Sequence, residues 1–157
     1  RSGFTHQAGH HASLYANRKD NSTRNTADMM AMFHKAGIPK EKLVVGAAFY
    51  SRIWQNIPDV DNGMLQEAET AGLGGPGYGE LTLEYLEKNG FRQYWDEDAK
   101  AAYLWNGKDF VSYESPEAIR LKCEYVKGHG FLGIMYWEHG CDPAGELLSV
   151  MQETLNS

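Results

Sequence analysis

Apolar and polar positions along this chain fall into three helical patterns and two short unbroken apolar runs. The first helical pattern covers Thr26 to Ala36, with Met29, Met32, Phe33 and Ala36 on one face, and Gly37-Ile38-Pro39 stops it. The second opens "SPEAIRLKCEYVKGHG". Ser115 is a natural N-cap, Pro116 fits the first helical position and Glu117 suits the positive end of the helix. Its buried side is predicted at Ile119, Cys123 and Val126, and Gly128 and Gly130 are expected to end it. The third takes Asp142 as cap and Pro143 as first helical residue, with a stripe of Leu148, Met151 and Leu155.

The apolar runs are "KLVVGAAFY" (Lys42 to Tyr50) and "FLGIMYW" (Phe131 to Trp137), and each follows a helix. Neither alternates, which predicts parallel strands buried on both faces. Residues from Trp54 to Ser115 have a different texture. Glycine- and proline-rich loops give way to a short helical pattern near Leu81 to Lys88 and then to aromatic strand candidates. "YLWNGKDFVSY" is the strongest hairpin signal, with Asn106-Gly107 suited to a tight primed turn. Tyr94-Trp95 is a further strand candidate. The expected organisation is thus α/β from 1 to 54, an antiparallel α+β insertion from 55 to 114, and α/β again from 115 to 157.

Composition narrows the partners. A net charge of −6, from 21 acidic and 15 basic residues, argues against nucleic acid and is compatible with a neutral ligand. The apolar runs are too short to span a bilayer, and no signal-peptide pattern opens the sequence. At 157 residues the chain suits one domain or a piece of a larger one. Cys123 and Cys141 make no disulfide framework and read as free thiols.

Candidate chemistry lies where the apolar runs end. In "FYSRIW", Tyr50 and Arg52 point to one face if the strand continues. They offer a hydroxyl, a fork of donors and a flat ring to a hydroxyl-rich ligand, or else Arg52 pairs with a surface carboxylate and Tyr50 packs at the rim. In "MYWEHGCD", Trp137 stands where strand gives way to loop. It either floors a sugar ring or caps the core. Glu138 either bonds ligand hydroxyls or solvates the rim. His6, His10 and His11 read as loop histidines rather than a zinc site. "DVDNG" fails as a calcium loop because Pro58 and Val60 would take ligand positions. "GLGGPGYG" does not link a strand directly to a helix, so it is no phosphate loop. The acidic stretch Trp95-Asp96-Glu97-Asp98 reads as a solvated hairpin bend.

Taken in order, these segments resemble the C-terminal part of glycoside hydrolase family 18, the chitinase family. "GHHASLY" is similar to the family's loop after the sixth barrel strand, and "AGIPKEKLVVGAAFYSRIW" to its seventh strand. "YWDEDAKAAYLWNGKDFVSYESPEAIRLKCEYVKGHGFLGIMYWE" resembles the end of its insertion domain, the seventh helix and the eighth strand. The resemblance implies part of a (β/α)8 TIM barrel carrying a small α+β insertion domain. It also implies hydrolysis of β-1,4-linked N-acetylglucosamine polymers without a cofactor, the substrate's own acetamido oxygen attacking the anomeric carbon while an enzyme Glu protonates the leaving oxygen.

Carried over residue by residue, Trp137 floors the subsite of the distorted sugar, Tyr50 and Arg52 line the cleft, and Glu138 is a rim carboxylate. Ser51 stands where the family usually has glycine. The family's "DGxDxDxE" and "MxYD" segments do not occur here, so the chain is expected to bind without hydrolysing. Expected partners are chitin or N-acetylglucosamine oligosaccharides, with no nucleic acid and no membrane. Self-association or the missing N-terminal barrel half is expected to cover the exposed surfaces. Secretion or cell-surface display follows from the family's substrate. A chitinase-like lectin and an autonomous insertion-domain module are the alternatives.

Overall fold

Each helix begins at a side chain that satisfies free amide groups. The Asn25 side-chain Oδ1 accepts from the Asp28 N–H at 3.0 Å and starts α1 (Thr26–Lys35). Thr82 starts α2 (Leu83–Asn89), and Ser115 starts α3 (Pro116–His129) by accepting from Ala118 N–H. The computed structural model describes residues 5–157, so residues 1–4 of the expected first segment lie outside the described residues.

Two sheets result. In the first, β1 (Val44–Ala48) pairs in parallel with β7 (Gly133–Trp137), in a register running from Val44 opposite Gly133 to Ala48 opposite Trp137. The second is antiparallel in the order β3-β2-β6-β5-β4, formed by β2 (Tyr50–Trp54), β3 (Leu73–Gly77), β4 (Arg92–Asp96), β5 (Ala101–Trp105) and β6 (Phe110–Tyr113). One core packs β1 against α3 and α4 (Glu146–Asn156) through Ala47, Ile119, Cys123, Leu147 and Met151. The antiparallel sheet is covered on both faces. Trp54, Tyr103 and Phe110 meet Ala8 and Met64 on one, and Leu104 and Val111 meet Leu86 and Phe91 on the other. Among the described residues no helix is long and apolar enough to cross a membrane.

Several expectations change. The run from Lys42 to Tyr50 is not one strand: it bends at Phe49, and Tyr50 opens β2 in the other sheet. Neither parallel strand is buried on both faces, since β1 exposes Val44 and Gly46 and β7 exposes Met135 and Trp137. On α1 the buried side chain is Met30, while Met32, Phe33 and Ala36 face outward and Met29 is half-buried. Gly128 lies inside α3, which ends at Gly130 with φ +71°. Asp142 does cap α4, but from further back. Its carboxylate accepts from Glu146 and Leu148 N–H at 2.9 and 3.1 Å, so the helix starts at Glu146 and buries Leu147 and Met151 rather than Leu148 and Leu155.

The hairpin stands as expected, yet Trp105 pairs with Phe110 and leaves a four-residue loop. The Asn106 side chain closes it by accepting from Lys108 and Asp109 N–H. Asp96 is buried rather than solvated, and joins the sheet edge to the chain's first loop through His10 (2.9 Å) and Asn17 (2.7 Å).

Candidate functional site

The site is built around Phe49, where the chain leaves one sheet for the other. Its N–H donates to the Trp137 carbonyl at 2.8 Å, its carbonyl accepts from Tyr78 N–H at 2.9 Å, and its buried ring stacks on Tyr136 at 4.6 Å. Ala48, Trp137 and Tyr50 are thereby brought together at the C-terminal ends of β1 and β7. Ligands collect at that end of parallel strands, because the loops there are free to vary while the strands fix the side chains.

Trp137 is 62% exposed, so its indole is a surface and not a core cap. The peptide between Trp137 and Glu138 is cis. Tyr50 and Arg52 do share a face: the guanidinium lies 5.5 Å from the Tyr50 ring centroid. Among the described residues Arg52 has no carboxylate partner. Between them Ser51 is fully buried, its hydroxyl donating to the Pro76 carbonyl at 2.6 Å, and the pairing of β2 with β3 slips by a residue at this point. A Cβ on Gly75 would come within 2.4 Å of the Ser51 hydroxyl, so the serine is accommodated by a glycine across the sheet.

Two adjoining depressions share Tyr50 and Trp137. The larger, about 340 Å³, is also lined by His11, Arg24, Ala48 and Met135; the smaller, about 280 Å³, by Ser51, Arg52, Gly74 and Gly75. Among the described residues no carboxylate lines either. Glu138 is exposed, its carbonyl accepts from Cys141 N–H at 3.0 Å, and it borders neither depression. A hollow of about 430 Å³ elsewhere is lined by Asn17, Arg18, Lys19, Asp61 and Asp98, but its charges are already paired, Arg18 with Asp98 and Lys19 with Asp61. The cleft at the strand ends keeps its donors free, and we assign the site there.

Three residues of this region were not assigned to a site by sequence reading, which took His11 for a loop histidine and passed over Ser112 and Glu114. His11 lies against Tyr50 with ring centroids 5.4 Å apart. Its backbone N–H donates to the Ser112 hydroxyl at 3.0 Å, and its Nδ1 lies 2.8 Å from the same oxygen. Burial, and then the positive neighbours Lys122 and Arg52, push the imidazole down to about 3, so it is neutral at ordinary pH. Glu114 is buried behind Ala48. It accepts from the Ala48 N–H at 3.2 Å and from the equally buried Lys122 ammonium, while burial raises its carboxyl above the ordinary value. Ser112 and Glu114 alternate along "FVSYE", a signal that they share a face, but nothing in the sequence ties that face to His11.

Among the described residues no cluster of His, Cys, Asp or Glu has a metal-holding arrangement. His6 meets the Ala68 carbonyl, and His10 meets Asp96. Cys123 and Cys141 are free thiols.

The chain is similar in sequence and in fold to known proteins. The chain is 35% identical over 127 residues to chitinase A1 of Niallia circulans, covering 76% of this chain and 18% of that protein. It is 30% identical over 146 residues to endochitinase 1 of Metarhizium robertsii, covering 90% and 34% respectively. A solved family 18 N-acetylglucosaminidase from Paenibacillus barengoltzii superposes with a TM-score of 0.94 at 44% identity, over 99% of this chain and 46% of that one. The chain thus spans less than half the length of each of these relatives. Residues 2–142 match the family described as Glycosyl hydrolases family 18, and the chain belongs to that family.

Proposed function

We propose that this chain carries the sugar-binding floor and one wall of a glycoside hydrolase family 18 cleft acting on β-1,4-linked N-acetylglucosamine polymers. The observation that carries this reading is the exposed Trp137 indole beside Tyr50 and Arg52 at the ends of two parallel strands. An indole offers a flat apolar face to the C–H side of a pyranose, and phenol and guanidinium offer directed hydrogen bonds to its oxygens. Glu138 has the weakest claim on the ligand, since its side chain stands outside both depressions.

On this reading β1 and β7 are the last two strands of a (β/α)8 barrel, and the antiparallel sheet is the chitinase insertion domain. Residues 1–54 and 115–157 are then barrel segments around an insertion from 55 to 114, the sheet change at Phe49 falling just before that boundary. The rest of the barrel, or a second copy when the chain is alone, covers the open face of β1 and β7. In the parent protein the acetamido oxygen is the nucleophile, and a Glu from a segment outside this sequence protonates the leaving oxygen. The chain alone binds without cleaving.

The lack of a carboxylate along the cleft also suits a chitinase-like lectin. The residue at the acid position of the parent separates the two: Glu gives hydrolysis, Gln or Leu gives binding alone. The direct test is to join the missing barrel half and assay a fluorogenic chitobioside. Release of fluorophore supports the enzyme, and binding without release supports the lectin. On the 157-residue chain itself, chito-oligosaccharide should quench tryptophan fluorescence, and Trp137→Ala should remove the response. No quench in the parent chain would refute the sugar-binding role.

A further inference from the structure

Among the described residues, two buried polar atoms of this region lack a hydrogen-bond partner, Glu114 Oε2 and His11 Nε2. They differ in position. Glu114 lines neither depression, and its other oxygen is committed to Lys122 and Ala48. The His11 residue lines the larger depression together with Tyr50 and Trp137.

The protonation of His11 is set by its neighbours. Among the described residues the Ser112 hydroxyl has no hydrogen-bond partner besides the His11 backbone N–H and Nδ1, so its own proton has only Nδ1, 2.8 Å away, to go to. Nδ1 is therefore the acceptor, and the neutral ring carries its proton on Nε2. A buried N–H without an acceptor costs ~1–3 kcal/mol, and such a group in a native fold calls for an explanation. Here His11, whose Nε2 is itself buried, lines a cleft whose charged side chains, Arg24 and Arg52, are both donors, and among the described residues no carboxylate lies in the lining. That lining selects an oxygen that only accepts.

We propose that His11 is a specificity-determining residue whose Nε2–H is held for the carbonyl oxygen of an N-acyl group on the bound sugar. The inference rests on the carbohydrate reading above and assigns a recognition role to a side chain which that reading left out. Ser112 is the positioning residue that holds the ring in the donor form.

Two substitutions separate recognition from packing. The amide nitrogen of Gln reaches the place of His Nε2, so His11→Gln keeps the ligand donor and loses the contact with Ser112. Asn reaches the place of Nδ1, so His11→Asn keeps the Ser112 contact and loses the donor. The 157-residue chain is titrated with the β-1,4 trimer of N-acetylglucosamine and with the β-1,4 trimer of glucose, which carries hydroxyl in place of acetamido.

The parent chain should prefer the acetylated trimer. His11→Gln should keep most of that preference, and His11→Asn should lose about tenfold of it, the factor for one hydrogen bond. Equal loss in both variants, or greater loss in His11→Gln, would make His11 structural and overturn the proposal. Binding of both trimers alike by all three proteins would overturn it too, leaving the carbohydrate reading intact. No binding of either trimer by the parent chain would sink both. If a variant does not fold, histidine ¹⁵N spectra of the parent chain decide. Nδ1 should be unprotonated and Nε2 protonated, and the acetylated trimer should move the His11 Nε2 resonance where the glucose trimer does not. A protonated Nδ1, or an unmoved Nε2, contradicts the assignment.

Discussion

Both sheets of this molecule contain strongly apolar strands, β5 and β6 in one and β1 and β7 in the other, yet only one sheet is finished. In the antiparallel sheet every residue of β5 and β6 is buried, because the first loop and the 61–68 segment cover one face and α2 covers the other. In the parallel pair, α3 and α4 cover one face, and the other exposes Val44, Met135 and Trp137. The contrast teaches that an apolar run reports a strand meant to be covered, without reporting whether the cover lies in the same chain. It also sets the two regions apart: the first sheet holds the fold, and the open end of the second holds the exposed Trp137 indole.

The largest test of that division is a truncation in each sheet. Trp54 is fully buried and its indole N–H donates to the Thr5 carbonyl at 2.9 Å, so Trp54→Ala should cost ~3–5 kcal/mol by urea unfolding. Met135→Ala, on the open face, should stay within about 0.5 kcal/mol. Similar costs at the two positions would mean that the parallel pair is as well packed as the other sheet, and the comparison would fail.

A smaller effect probes how the finished sheet is tied to the first loop. Burial alone would raise the Asp96 carboxyl, but hydrogen bonds from His10, Asn17 and the Ala99 N–H outweigh it and hold the group at about 2, below the ordinary 3.8. A depressed carboxyl adds stability above its unfolded value and loses it as pH falls through the folded one. Asp96 should therefore contribute about 2 kcal/mol above pH ~4, lost progressively by pH ~2. Unfolding of the parent chain and Asp96→Asn compared across that range isolates the contribution, because other acid-sensitive groups, His11 among them, are common to both. A gap that stays constant from pH 5 to pH 2 would show that the carboxylate is not held by charge-dependent bonds.

Much of this was legible in the sequence, and the remainder fails for identifiable reasons. Ser115 and Asp142 were visible as caps because capping chemistry is local, although Asp142 accepts from the amide four residues on, one beyond the reach of the simplest cap. The parallel pairing followed from helix–strand order, and Tyr50, Arg52 and Trp137 from their place at the ends of apolar runs. The turn at Asn106 was misjudged because an Asx-closed four-residue loop and a two-residue primed turn begin with the same dipeptide. The bend at Phe49 left no mark, since the apolar run continues through Phe49 to Tyr50 without a glycine or proline there. Asp96 looked solvated because its partners His10 and Asn17 lie roughly eighty residues earlier. The His11–Ser112 contact, across 101 residues, was beyond any local signal.

The smallest effect on stability carries the sharpest reading of the open face. Met32 and Phe33 on α1, Leu132 before β7 and Met135 within it are all exposed, more apolar side chain than a finished surface usually leaves bare. The outward stripe of α1 is the face that helical periodicity predicts to be buried, so the sequence is written for a cover that lies outside these contacts. Replacing Leu132 and Met135 together by Gln should leave the urea midpoint within about 0.5 kcal/mol of the parent, because these side chains lose little on exposure they already have. The same change should weaken concentration-dependent association measured by light scattering, since it removes the apolar area that a second copy or the remaining barrel would bury. A marked fall in midpoint would mean that the face is packed within the chain. An unchanged association curve would place the self-contact elsewhere, and in either case the division between a finished sheet and an unfinished one would have to be redrawn.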